Sequence, residues 1–243
     1  MTSATVTATS SDADYPVSNL TNWKPARWWK PNSTGTFYIN VDAGSAVDVD
    51  YFAIFSHDLT EKTATVKLQW SNDGATGWTD LTSALAKSDS EVIFDTFTSV
   101  NKRYFRVEVV ATTAVCSIGI IGIGEYLTMQ RGINPGFTPP HLDTKNKYLI
   151  NVADGGLPLG TSILSKAANV SATFDMLTAS WVRTNWEPLL AHAELYPMFF
   201  SWNDGDYPDE AVFVMMDVTK SRIPYKDTLY MTAKISGKAW WKL

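Results

Sequence analysis

Thr36-Phe37-Tyr38-Ile39-Asn40-Val41 sets the fold class. Phe37, Ile39 and Val41 alternate with Thr36, Tyr38 and Asn40, the two-residue period that places apolar side chains on one face of a strand. Outward from it the pattern repeats. Val66, Leu68 and Trp70 alternate with Thr65, Lys67 and Gln69, and Phe105, Val107 and Val109 with Tyr104, Arg106 and Glu108. Tyr51-Phe52-Ala53-Ile54-Phe55 is apolar on both faces and suits a central strand. Asn72-Asp73-Gly74 and Ala43-Gly44-Ser45 mark turns. Short strands with such punctuation and no long helical period before residue 125 describe an all-β sandwich over residues 1–125. The run Ser117–Gly124, isoleucines between glycines, closes it as a final strand; neither a helix start nor a Lys-Ser/Thr pair follows, so it is no phosphate loop.

Residues 126–243 change character. A Pro/Gly-rich loop over 132–144 leads to Tyr148, Ile150 and Val152 in alternation, then to Val170, Ala172, Phe174 and Met176. Thr178 is a fitting N-cap for one helix over about 179–195. Val182, Trp186, Leu189, Leu190 and Ala193 form its apolar stripe. Pro188 either kinks that helix or opens a second one. Strands over 197–202, 210–218 and 228–236 follow, the last with Leu229, Met231, Ala233 and Ile235 inward. The expectation is an antiparallel β domain with one flanking helix, so the chain as a whole is mainly β.

Composition narrows the chemistry. With 45 % hydrophobic and 19 % charged residues in 243, the chain supports packed cores. One cysteine, Cys116, leaves no intramolecular disulfide and no cysteine-based zinc site. No apolar run reaches the ~20 residues of a membrane helix, and the first residues carry no basic or hydrophobic signal, so neither membrane insertion nor secretion is expected. Residues 1–125 hold 9 basic against 14 acidic residues and residues 126–243 hold 11 against 11. Neither half offers the basic stripe that nucleic acid requires.

No catalytic constellation stands out, and the chain is not expected to be an enzyme. His57, His141 and His192 lie far apart in sequence, and no Gly-x-Ser-x-Gly elbow occurs. Asp204, Asp206, Asp209 and Glu210 read as a solvated hairpin loop; a calcium loop is the sharper alternative, though the remaining ligand positions are missing. No metal or cofactor is expected. The tryptophans say more. Trp23, Trp28 and Trp29 sit beside Lys24, Arg27 and Lys30, as a stacking platform for sugar rings or as a core indole with a fastened loop. Trp240 and Trp241 cannot share one face of a strand, so one is exposed or covered by a partner. Ala211-Val212-Phe213-Val214-Met215-Met216, apolar on both faces, makes Phe213 and Met215 candidate assembly contacts along with those two indoles.

Two resemblances follow from these residues. Asp14–Lys30, with Pro16, Ser18, Asn19, Ala26, Arg27 and Trp28, resembles the opening of discoidin-like (galactose-binding-like) jelly rolls. Gln69–Gly74 with Trp78, and Lys102–Val107, resemble that family's later hairpin and strand, in the same order. The resemblance implies a sandwich whose end loops bind sugars or lipids, with Trp23 and Trp29 the candidate glycan contacts and Trp28 the core indole. Gly124–Gly132, Thr173-Phe174, Trp181, Tyr196–Trp202 and Tyr207–Glu210 are similar to minor tail and distal tail proteins of long-tailed bacteriophages. That implies a tail-tube-like domain in a homo-oligomeric ring of six or three copies at the virion tail tip. Its partners would be the tail tube, tape-measure and baseplate hub proteins, with assembly in the host cytoplasm. A carbohydrate-binding adhesion module contacting a host glycan is the alternative.

Overall fold

In the computed structural model, which describes residues 4–87, 91–165, 167–221, 223–227 and 229–240, two long strands organise the N-terminal part. β2 (Gly35–His57) and β5 (Ile93–Ala111) pair antiparallel along most of their length. Around the first half of β2 gather β1 (Thr5–Ala8) and, across β5, β3 (Thr65–Ser71) and β4 (Thr79–Asp80). Around the second half of β2 lies β6 (Ile118–Gly124). Ile39, Val41, Phe105 and Val107 of the first layer share one core with Phe52, Ile54, Ile93 and Ile118 of the second. One hydrogen-bonded sheet is thus folded over itself into a β-sandwich.

The bend falls where a turn was expected. Ala43-Gly44-Ser45 stays inside β2, with the pairing register to β5 jumping between Asp42 and Val47. Gly44 is left-handed (φ +79°), and its N–H donates to the Asp42 carboxylate at 2.8 Å. The three residues bend a continuous strand instead of ending it, because an irregular pairing absorbs extra residues as curvature. Elsewhere the expected inward residues Phe37, Ile39, Val41, Val66, Leu68, Phe105, Val107 and Val109 are buried, but Trp70 is only partly so and Gln69, expected on the opposite face, is buried beside it. Cys116 joins this core, where burial pushes its thiol up to about 12.

The molecule divides into two units, one reaching Leu127 and also taking in Gly205–Ala211, the other comprising Thr128–Asp204 and residues 212–240. The second has a four-stranded antiparallel sheet in the order β10-β11-β12-β9: β10 Met198–Phe200, β11 Val212–Met216, β12 Tyr230–Trp240 and β9 Ala168–Thr178. Thr178 caps the helical segment, its hydroxyl accepting from the Trp181 N–H at 3.4 Å. The helix over 179–195 is divided: α1 (Ala179–Trp181), a π-turn (Val182–Trp186) and α2 (Glu187–Ala193). Pro188 is the cause. It has no N–H to continue an α-ladder, and the wider turn, with Glu187 N–H reaching the Val182 carbonyl, lets the chain continue. Val182, Trp186 and Ala193 are buried against Val170, Ala172, Phe174, Val214 and Ile235.

In β9 alternation fails at Met176. Met176 is exposed rather than inward, while Leu177 is buried. Met176 has φ +59°, and the β9–β12 register shifts between Met231 and Ala233. One bulged residue moves every later side chain to the other face. Leu229, just before β12, is likewise bare.

β7 (Lys147–Val152) and β8 (Pro158–Ser165) form a separate two-stranded sheet. The alternation at Tyr148, Ile150 and Val152 is real, yet all six β7 residues are exposed. Among the described residues no helix is long and apolar enough to cross a membrane.

Candidate functional site

The long connection between β1 and β2 carries the tryptophan cluster and is built from the inside out. A 3-10 turn (Val17–Thr21) buries Asn19, whose amide donates to the Trp28 carbonyl at 2.9 Å. The Asn22 amide donates to the Asn19 side-chain oxygen, and the Asn22 oxygen accepts the Lys24 N–H at 2.8 Å. Trp29 then pairs like a strand residue with Ile118 of β6: its N–H donates to the Ile118 carbonyl at 2.8 Å, and the Ile118 N–H returns the bond at 3.1 Å. Its indole is fully buried, donating Nε1–H to the Ser10 carbonyl at 3.1 Å.

This overturns the expected assignment of the two adjacent indoles. Trp29 is the core residue and is closed to any ligand; Trp28 is the half-exposed one. Neighbouring residues of an extended segment face opposite ways, so pairing with Ile118 decides which goes in. The neighbouring indole of Trp28 donates Nε1–H to the Ser56 hydroxyl at 2.8 Å, and that hydroxyl donates on to the Pro25 carbonyl at 2.6 Å. Trp23 is half-exposed as well.

Two of the four described non-glycine residues with positive φ lie here, the others being Thr63 and Met176. Trp23 (φ +59°) and Ser56 (φ +63°) are non-glycine residues in the left-handed region, at roughly 1–2 kcal/mol each. Such outliers persist where surrounding contacts over-determine them, and they cluster at ligand clamps. Gly119 makes the Ser56 position feasible, since a Cβ there would lie 2.8 Å from the Ser56 Cβ. Lys30 completes the platform, its ammonium 4.2 Å from the Tyr15 ring centroid and 5.7 Å from that of Trp28. Lys24 and Arg27 are exposed beside it. Tyr15, Trp23 and Trp28 are each half-exposed on this connection, with the Lys30 ammonium already against the rings of Tyr15 and Trp28. Tyr15 and Ser56 had no sequence signal of their own, because both act through partners far along the chain.

A second aromatic–cation group is saturated by its own contacts. The Arg106 guanidinium lies between the Tyr38 and Trp78 rings at 4.1 and 4.2 Å. Its Nε–H donates to Gln69 at 2.6 Å, and the Gln69 amide donates to Asp80. Lys67 reaches both Asp80 and Glu108 at 3.2 Å. In the turn after β3, the Asp73 carboxylate accepts from the Ala75 and Thr76 N–H groups at 2.8 Å, and bonds from Thr76 hold its carboxyl well below the usual carboxylate range. These residues fasten strands together.

The remaining candidates have structural employment. Buried His57 sets Nε2 against the Glu91 carbonyl at 2.8 Å, and its Nδ1 accepts the Leu59 N–H at 3.4 Å. His192 leans on the Tyr196 ring at 5.2 Å, with its pKa lowered by burial. Asp204, Asp206, Asp209 and Glu210 lie on the connection between β10 and β11, where Pro208–Glu210 make a 3-10 turn. Among the described residues no cluster of three or more His, Cys, Asp or Glu is placed to hold a metal ion.

The assembly candidates separate. Phe199, Phe213 and Trp240 stand side by side across β10, β11 and β12. Phe213 is only 2 % exposed, with the Phe199 ring edge-on at 5.4 Å, so the chain already covers it and it is no free contact. Trp240 is half-buried, and Met215 is 56 % exposed. Trp241 lies outside the described residues.

Comparison with known proteins bears on the N-terminal unit. Residues 5–121 match the F5/8 type C domain. No curated protein matches the chain. Among solved structures, a pectin binding carbohydrate binding module is similar at 20 % identity, covering 51 % of this chain and 92 % of that one, with a TM-score of 0.43. A chitosan-binding module from Paenibacillus sp. IK-5 shows 23 % identity over 50 % of this chain and 94 % of that one, with a TM-score of 0.42. A Clostridium perfringens protein solved in complex with GalNAc-β-1,3-galactose shows 14 % identity over 50 % and 95 %, with a TM-score of 0.45. The sandwich at residues 5–121 is an F5/8 type C domain.

Proposed function

We propose that the F5/8 type C domain binds carbohydrate on the β1–β2 loop. The observation that carries this reading is the latched, strained pair of half-exposed indoles: Trp28 held by Ser56, and Trp23 held in a left-handed backbone. A sugar ring presents an apolar face that stacks on such a surface, while its hydroxyls meet Asn22, Lys24 and Arg27 at the rim. The surplus of cations at the rim favours neutral or acidic sugars over basic ones. The domain performs no chemistry in this reading. Titration of the full chain with cell-wall oligosaccharides tests it. Saturable binding that disappears in Trp28→Ala and in Trp23→Ala, and survives in Trp70→Ala, is the expected result. Binding indifferent to both loop indoles overturns the assignment.

A second reading, a bacteriophage tail-tip subunit whose partners are tail tube and baseplate proteins, is favoured by one observation: the second unit presents a bare apolar hairpin. In that reading the sugar-binding domain serves adhesion to a host. Particle images with the chain labelled test it, and tails that lack the label overturn it.

A further inference from the structure

Among the described residues no third strand pairs with the β7–β8 hairpin. A two-stranded sheet alone is marginally stable in water, yet this one carries Tyr148, Leu149, Ile150, Val152, Leu159 and Ile163, each between 47 % and 72 % exposed. The pairing of Tyr148 with Ile163, Ile150 with Thr161 and Val152 with Pro158 gathers most of these groups on one face. At roughly 60–120 Å² of apolar area per fully bared side chain, these six expose on the order of 200–400 Å². The upper end reaches the size of the largest patch on an ordinary monomer. It also approaches the apolar share, about 56 %, of the roughly 800 Å² that each partner buries in a standard interface.

The same unit carries a second bare apolar group. Met176, Tyr225 and Leu229 are all exposed. They belong to one neighbourhood: Tyr225 bridges Met231, whose partner in β9 is Leu177, and the Leu229 carbonyl accepts the Ala179 N–H at 3.3 Å. The hairpin stem joins the other end of β9, where Thr144 bridges Ala168 and Lys145 N–H donates to the Ala167 carbonyl at 2.7 Å. Eight residues of strand, about 27 Å, separate the two ends. Lys147 and Asp154 are the only charged residues within 147–165, and at the receiving end Arg183 is bonded to the Tyr225 hydroxyl and Lys226 is paired with Asp175.

We propose that the β7–β8 hairpin docks on the Met176–Tyr225–Leu229 end of a second copy of this chain. Donor and receiver lie at opposite ends of one strand, so the contact is head-to-tail and propagates until the rotation closes a ring. The inference deepens the assembly reading by naming the partner and the surface. Its test involves no virion and no sugar, so it and the two readings above fail separately.

Sedimentation and light scattering on the full chain at about 100 µM decide it, because self-association is concentration-dependent. The expected species is a trimer or larger that survives a rise from about 0.1 to about 1 M salt, where screening shortens from ~10 to ~3 Å. Ile150→Asp with Ile163→Asp, and separately Leu229→Asp, each give monomer with unchanged circular dichroism, since all three side chains are already in water. Mixing the two variants restores a single contact, because one retains the receiver and the other the hairpin, and a one-to-one dimer appears. A monomeric wild type, an oligomer indifferent to the hairpin changes, or one indifferent to Leu229→Asp overturns the proposal.

Discussion

Ser56 offers a quantitative test of the site, because two opposing terms meet in one side chain. Its hydroxyl accepts from Trp28 and donates to Pro25, and its backbone is left-handed. Ser56→Ala deletes both hydrogen bonds, at about 0.5–1.5 kcal/mol each, so the loss is about 1–3 kcal/mol with the left-handed cost retained. Ser56→Gly deletes the same bonds but removes the ~1–2 kcal/mol left-handed cost. Glycine's greater freedom in the unfolded chain takes back ~0.5–1 kcal/mol. The glycine variant is therefore the more stable of the two by about 0.5–1 kcal/mol, although it removes more atoms. Hydrogen exchange on the full chain, read on peptides spanning residues 51–57 and 24–31, measures this locally. With tenfold for each ~1.4 kcal/mol, protection falls about 5- to 150-fold in Ser56→Ala and recovers about two- to fivefold in Ser56→Gly. If the loop binds sugar as proposed, both variants weaken that binding, since Trp28 is unlatched in each. A glycine variant no better protected than the alanine one refutes the strain argument, and an alanine variant with unchanged exchange refutes the latch.

Trp29→Ala is expected to cost about 3–5 kcal/mol in thermal or urea unfolding, as for other buried aromatic truncations, while Trp23→Ala costs less than about 1 kcal/mol and acts on sugar affinity. Gly237→Ala is expected to open the β11–β12 pair, because a Cβ there would collide with the Met215 carbonyl oxygen; a lower melting temperature with faster exchange in β11 is the readout. The Asp42 carboxyl is held down at about 2, first by the bond from Arg103 and then by the Gly44 N–H. A carboxyl depressed on folding stabilises above its unfolded value near 4 and loses that contribution as pH falls toward 2. The melting temperature should therefore drop over this window, and less steeply in Asp42→Asn.

Much of the architecture was legible because burial on one side of a sheet writes itself as alternation. The inward residues of β2, β3, β5 and β12 and the buried stripe of the helical segment follow directly from their spacing. What was illegible depends on pairing partners distant in sequence. Trp28 and Trp29 are equivalent by composition, and only the bond pattern with Ile118 tells them apart. The Met176 bulge reverses a face without changing the composition around it. In β7 the alternation of Tyr148, Ile150 and Val152 correctly marks a strand face, but a period cannot tell whether another surface covers that face. At Gly44 a turn-like tripeptide became a bend because β5 continues alongside it. Of the site, Trp23 and the cations were visible as a cluster; Ser56, 28 residues beyond Trp28, joins it only in three dimensions.

Cys116 turns the sandwich into its own clock. A lone thiol whose pKa stands near 12, walled in by the core, offers almost no thiolate to an alkylating reagent at neutral pH. Each molecule that is labelled must first have breathed open around that sulfur. The pace of alkylation therefore counts excursions of the F5/8 type C domain alone.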